Sequence, residues 1–197
     1  TDHAVRKMAS LVDHIRKPAD ETLETKVLEL GEVVNTLAEQ FVKRQPAPRV
    51  IAHPDSIYIN ADPEQLYSIL GHLIQNAQDA TPVDGEITLT LKAAKDNVVL
   101  FIQDTGAGMT EEFIESRLFK PFESTKGLTG MGIGAYQARE YVRNVGGNID
   151  VTSEPDVGSC FSIRFPLARP GSAGSVRGAP TETADIDPLA ATGNSAK

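Results

Sequence analysis

Residues 97–103, NVVLFIQ, constrain the fold more than any other stretch, because nearly every side chain in the run is apolar. A strand of that kind has apolar groups on both faces and is expected at the centre of a sheet, covered on both. The preceding EITLTLKAA supplies a neighbour, since Ile87, Leu89 and Leu91 alternate with polar residues as in a strand with one buried face. The closing stretches GNIDVTSEP and GSCFSIRFPL read as two further strands. Shorter β-rich runs fall at 27–29, 49–53 and 56–60, the last two parted by a His-Pro-Asp turn.

Helical periodicity lies between these runs. Wound at about 100° per residue, Leu66, Ile69, Leu70, Leu73 and Ala77 share one apolar face. Asp62 and Pro63 suit the N-cap and first position of that helix. Residues 31–43 form a second amphipathic pattern, with a short helical patch near 110–118. GIGAYQAREYVRNVGG is a third pattern, stopped by its Gly pair. Near the start, Val5, Met8, Leu11 or Val12, and Ile15 follow a coiled-coil-like spacing that Pro18 ends. A one-sided helix of that length needs a partner. From about Ala168 the chain becomes small, polar and rich in Pro and Gly, and is expected to be disordered through 197. The order of elements predicts an α/β two-layer sandwich, a mixed sheet with helices on one face.

Composition narrows the function. The chain has 197 residues with 40% hydrophobic content, enough for one domain core plus appendages. Its formal net charge of −8 argues against a nucleic-acid surface. The single Cys160 excludes an internal disulfide and a cysteine-based metal cluster, as expected of a reducing, cytoplasmic setting. No apolar stretch approaches the ~18 residues of a membrane span. The sequence leaves open whether a longer parent is membrane-anchored.

Three motifs carry chemistry. In LGHLIQNAQDAT, His72, Asn76 and Asp79 form a polar stripe beside the apolar face. The neutral Asn76 amide oxygen suits Mg²⁺, an ion that keeps waters and shares its shell with phosphates. A solvated helix surface is the alternative. In DTGAGM, directly after the apolar strand, Asp104 can accept from the exocyclic amine of a base. Gly106 and Gly108 would let backbone approach the ring, or the motif is a tight turn in which Asp caps its own backbone. In KGLTGMGIGAYQARE, Gly130, Gly132 and Gly134 alternate just before a helix, whose exposed amides and dipole bind phosphate oxygens. Lys126 stands upstream as a point charge. A flexible linker is the alternative there. The loop is neither a Walker A motif nor a Rossmann fingerprint, since it lacks GK[ST] and follows no strand.

Each motif alone is ambiguous, and their order and spacing are less so. Together they resemble the ATP-binding family of gyrase, Hsp90, histidine kinases and MutL (GHKL), and within it the catalytic domain of a bacterial sensor histidine kinase. LFKPFESTK at 118–126 is similar to the kinase F-box, and GGNIDVTSEPDVGSCFSIRFPL to the terminal hairpin. The likeness covers about 25–167, and the helix and glycine motifs look like the PrsK branch. The resemblance implies the Bergerat/GHKL fold, with Asn76 coordinating Mg²⁺ on the ATP phosphates and Asp104 reading the adenine amine. It places Gly106, Gly108 and Met109 beside the ring. It makes 115–130 the ATP lid, with Phe119 and Phe122 packing it down. Lys126, Gly130, Met131, Gly132, Ile133 and Gly134 would meet the nucleotide at its phosphates, with Ser159 supporting the adenine pocket. It further implies a response-regulator receiver domain as partner and a homodimer through hairpin helices.

Departures from the family pattern qualify this. His72 replaces the Asn common in kinases and the water-activating Glu of hydrolysing relatives, so efficient steady-state hydrolysis is not expected. His72 would complete the polar rim or bind a metal-bound water. Asp79 stands where many kinases carry a phosphate-binding Lys, and is expected to act through water or Mg²⁺. HIRKP at 14–18 is a poor phosphoacceptor, because Ile15 follows His14 where an acid belongs. The thirteen or so residues left before the ATP domain also cannot finish a helical hairpin at about 1.5 Å per residue. Residues 1–20 are therefore expected to end a dimerisation hairpin whose acceptor histidine lies elsewhere. The rival expectations are a nucleotide-sensing module without phosphoryl transfer and an ATP-gated dimerisation clamp.

Overall fold

The computed structural model describes residues 25–51, 55–121 and 133–168. The hairpin helix expected over 1–20 and the tail expected from 168 onward lie outside the described residues, apart from Ala168 itself. Among the described residues seven strands and four helices follow in the order β1 (Lys26–Glu29), α1 (Leu30–Phe41), β2 (Pro48–Ile51), β3 (Tyr58–Ala61), α2 (Pro63–Ala80), β4 (Ile87–Ala93), β5 (Asn97–Asp104), α3 (Glu111–Ser116), α4 (Gly134–Asn144), β6 (Asn148–Glu154) and β7 (Gly158–Pro166).

A five-stranded sheet of order β2-β4-β5-β7-β6 carries the fold, and β1 pairs with β3 in a separate two-stranded ribbon. The main sheet is mixed: β2 runs parallel to β4, while β4, β5, β7 and β6 pair antiparallel. The apolar strand β5 is central, as its composition demands. Its inner face carries Val98, Leu100 and Ile102, all fully buried. Register lines these up with neighbours, Leu91 with Leu100 and Ile163, and Leu89 with Ile102 and Phe161. Against this face pack Leu66, Leu70, Leu73 and Ile74 of α2, Leu30, Val34 and Leu37 of α1, and Ala138 and Val142 of α4. Burial of each large aliphatic side chain contributes about 1.5–3 kcal/mol.

The second face of β5 departs from expectation. Phe101 is only half-buried and Gln103 is exposed, beside Thr90 and Ser162 in register with Phe101. The Lys92 ammonium sits 5.3 Å from the centre of the Phe101 ring. Among the described residues helices cover one side, so Val99 and Phe101 gain their burial there from flanking side chains, as in antiparallel sheets with one solvated face.

Local signals explain the helix boundaries. The Asp62 carboxylate accepts from the Gln65 amide at 2.9 Å and Pro63 opens α2. The Glu29 side chain caps α1. Gly146, at φ 81°, ends α4, and the amides of Gly146 and Gly147 return to the carbonyls of Arg143 and Val142. Tyr141 of α4 fixes the start of α2: its hydroxyl accepts from the Asp62 amide at 2.8 Å and donates to the Asp62 carbonyl at 3.0 Å.

Candidate functional site

The alternation that buries Leu100 and Ile102 continues one step further along β5 and turns Asp104 toward the helices. Register sets Asp104 opposite Ser159 of β7, and Ser159 opposite Ser153 of β6. From β5 to β6 the sheet thus ends in a polar row, with the buried Ile87 of β4 on the other side of Asp104. Asp104 is 5% exposed and Ser159 7%. The Gly106 amide donates to Asp104 Oδ1 at 2.9 Å. Burial raises the Asp104 pKa from its ordinary 3.8, opposed by backbone amide bonds from Gly106 and Ser159. The carboxylate keeps acceptor capacity that these amides do not exhaust.

Ser153, which the sequence reading passed over, organises this row. Its hydroxyl accepts from the Met109 amide at 2.8 Å, donates to the Gly158 carbonyl at 2.8 Å, and lies 3.0 Å from the Ser159 hydroxyl. With the Ser153 proton on Gly158, Ser159 is the donor between the two hydroxyls. Met109 is thereby tied to the hairpin and packs against the core edge.

The turn after β5 docks on the last turn of α2. The Ala107 amide donates to the Ala80 carbonyl at 3.0 Å. A Cβ on Gly106 would stand 2.6 Å from that same carbonyl oxygen. One on Gly108, at φ 63°, would strike the Glu154 carbonyl, and one on Gly158 the Asp104 carbonyl. Protein backbone therefore occupies the space these glycines open, which is the turn reading of the motif. Asn76 lies one helical turn before Ala80, about 6 Å along the axis, so Asn76 and Asp104 share one end of the molecule.

The start of α4 closes the other side. A side chain on Gly134 would begin 3.4 Å from His72 Cβ, and 3.9 Å from Asn76 Nδ2. His72 is exposed at that junction. Ile133 caps the helix with no side-chain hydrogen bond, so no cap side chain answers the first amides of α4, and Ile133 itself is buried. Lys126, Gly130, Met131 and Gly132 lie outside the described residues, as do His3, His14, His53 and Phe122. Residues 115–121, assigned to the lid from the sequence, belong partly to the folded body. Ser116 ends α3, Leu118 is buried and Phe119 packs on the core. The Arg139 guanidinium lies over the Phe119 ring at 4.5 Å and donates to its carbonyl at 3.3 Å.

Gln78 and Asp79 of α2 both meet the loop between α1 and β2. Gln78 is 2% exposed. Its amide nitrogen lies within hydrogen-bond reach of the carbonyls of Phe41, Arg44 and Pro46 at 3.1, 2.9 and 3.1 Å. Asp79 forms an ion pair with Arg44 from that same loop. Asp79 also lines an open depression of about 450 Å³ with Ala80, Thr81, Thr105, Gly106 and Asp156.

A helix face with an amide, a buried carboxylate at a strand end and a helix start without a side-chain cap are brought together along the C-terminal half of α2, an arrangement suited to a nucleotide-binding α/β domain. Residues 61–169 match the family described as histidine kinase-, DNA gyrase B-, and HSP90-like ATPase, and the chain belongs to that family. It is 33% identical over 172 residues to sensor histidine kinase ZraS of Klebsiella oxytoca, covering 84% of this chain and 36% of the relative. It is 34% identical over 137 residues to sporulation kinase A of Bacillus subtilis, covering 70% of this chain and 22% of the relative. The chain thus spans about a third or less of those relatives. Full-length ShkA in complex with AMPPNP shares the fold, with a TM-score of 0.65 at 24% identity over 76% of this chain and 32% of ShkA.

Proposed function

We propose that this chain is the ATP-binding catalytic domain of a two-component sensor histidine kinase. It would present the γ-phosphate to a histidine on a helical hairpin, for relay to an aspartate of a response-regulator receiver domain. The observation that carries this reading is the convergence of Asp104, Asn76 and the α4 start around the last two turns of α2. Family membership and the sensor-kinase relatives support it. Homodimerisation through hairpin helices belongs to the same reading of the longer protein.

In this reading the Asp104 carboxylate accepts from the adenine amine. Ser159, held by Ser153, keeps its oxygen as an acceptor toward the pocket. The amides at the start of α4 receive the phosphates. Asn76 would hold Mg²⁺. Among the described residues no group of three or more His, Cys, Asp or Glu could bind an ion unaided. A single neutral amide fits an ion that arrives with its nucleotide. When bound, that ion neutralises charge on the phosphates. The protein's own contribution to phosphoryl transfer is positioning: a rigid sheet end holds the base and a helix start holds the phosphate tail. His72 stands at the rim of the phosphate end, where it can hydrogen-bond a water.

Calorimetric titration with Mg²⁺-ATP tests the binding half, with saturable one-site binding expected. Mixing the chain with a separate acceptor hairpin and radiolabelled ATP tests the transfer half. Label on the hairpin histidine is expected, and ATP binding without transfer would favour a nucleotide-sensing module.

A further inference from the structure

A nucleotide that spans from Asp104 to the α4 start must pass the outer face of the last turn of α2, and that face carries an acid. Asp79 is three residues beyond Asn76, which makes the two neighbours on one helix surface. Asp79 also lines the depression beside Gly106. A carboxylate there opposes a polyphosphate unless its charge is balanced. Arg44 supplies the balance. It is delivered from the loop between α1 and β2, which Gln78 holds against α2 through the carbonyls of Phe41, Arg44 and Pro46. The guanidinium pairs with Asp79 and reaches the Gln78 carbonyl at 3.5 Å. The Arg44 side chain stays 51% exposed and that of Asp79 28%, so the pair faces solvent at the cleft margin and is not sealed in the core.

We propose that Arg44 is a specificity-determining residue for nucleotide phosphates: by neutralising Asp79 it removes a repulsion that grows with the number of phosphates. The proposal rests on the ATP-binding reading above. It differs from a structural role for the pair, because Gln78 already holds the loop without charge.

The test measures adenosine, AMP and ATP affinity by calorimetry on the full chain, at low and high salt. Arg44→Gln retains much of the side-chain length and loses the charge. It is expected to weaken ATP on the order of tenfold, AMP less and adenosine not at all, with the loss shrinking as salt rises. Asp79→Asn is expected to bind ATP at least as tightly as the wild type. The double variant is expected to return to near wild-type ATP affinity. Equal weakening of adenosine and ATP in Arg44→Gln, no rescue in the double variant, or weaker ATP binding in Asp79→Asn would each overturn the proposal. Should Arg44→Gln fail to fold, Asp79→Asn alone decides by the direction of its change. Failure of the wild type to bind ATP at all would instead overturn the nucleotide reading.

Discussion

Asp104 shows at the scale of one residue how a binding group is held at the expense of stability. Burial raises its pKa above the ordinary 3.8, against the pull of the Gly106 and Ser159 amides. A carboxyl whose folded pKa is raised favours the folded state fully below its unfolded pKa. That contribution is lost as pH rises through the folded value. Asp104→Asn keeps an acceptor for the Gly106 amide and removes the buried charge. Thermal melts are therefore expected to show the variant more stable than the wild type near neutral pH, the gap closing as pH falls toward the ordinary carboxylate range. Nucleotide binding should move the other way. An amide that donates where adenine also donates loses about 1–3 kcal/mol of a charged hydrogen bond, so ATP affinity should fall roughly 10- to 100-fold. In the wild type, affinity should decline as acid protonates Asp104, and the residual binding of the variant should lack that dependence.

At the scale of elements, the site depends on how closely a strand end meets a helix end. Gly106→Ala would place a methyl 2.6 Å from the Ala80 carbonyl oxygen, and the docked turn must move away. Urea unfolding should show a loss of about 1–3 kcal/mol, with ATP affinity falling alongside. Gln78→Ala should cost a similar amount, about 1–3 kcal/mol, because three loop carbonyls lose a buried donor. Its adenosine affinity should change little, since the Gln78 amide is directed at carbonyls of the α1–β2 loop. These two positions also mark where the sequence was legible and where it was not. The apolar face of α2 and the central place of β5 follow from local periodicity, and the Asp62–Pro63 start from capping chemistry. Gln78 sits in the same helix but its role is not legible locally, because its partners are carbonyls more than thirty positions upstream. Ser153 is hidden in part for the same reason, as the Met109 amide it accepts from lies in the turn after β5, 44 positions upstream. The open second face of β5 is equally illegible, since composition shows apolar side chains but not how many layers will cover them.

At the scale of the whole molecule, the two halves of the cleft come from different parts of the chain. In the proposed reading β5, β6 and β7 hold the base, and α2 and the start of α4 hold the phosphates. The packing of α2 and α4 side by side on one face of the sheet, with Tyr141 of α4 bound to Asp62 at the start of α2, sets the distance between them. That division makes the energetics separable. AMP uses the base end with little of the phosphate end, whereas Mg²⁺-ATP uses both. Asn76→Ala should leave AMP affinity within about twofold of wild type while weakening Mg²⁺-ATP by roughly tenfold or more, a loss of at least about 1.4 kcal/mol. Asp104→Asn should weaken both nucleotides by the same factor. Because in this reading the two groups meet opposite ends of the nucleotide, the double variant should lose the sum of the two free energies, within about 0.5 kcal/mol. The same contrast should appear as thermal protection, for a ligand at 100 times its dissociation constant stabilises the fold by about 2.7 kcal/mol. Saturating Mg²⁺-ATP should raise the melting temperature of the wild type, and the double variant should show no shift at the same concentration. Equal sensitivity of AMP and ATP to Asn76→Ala would mean that Asn76 supports the fold of the cleft and does not serve its phosphate end.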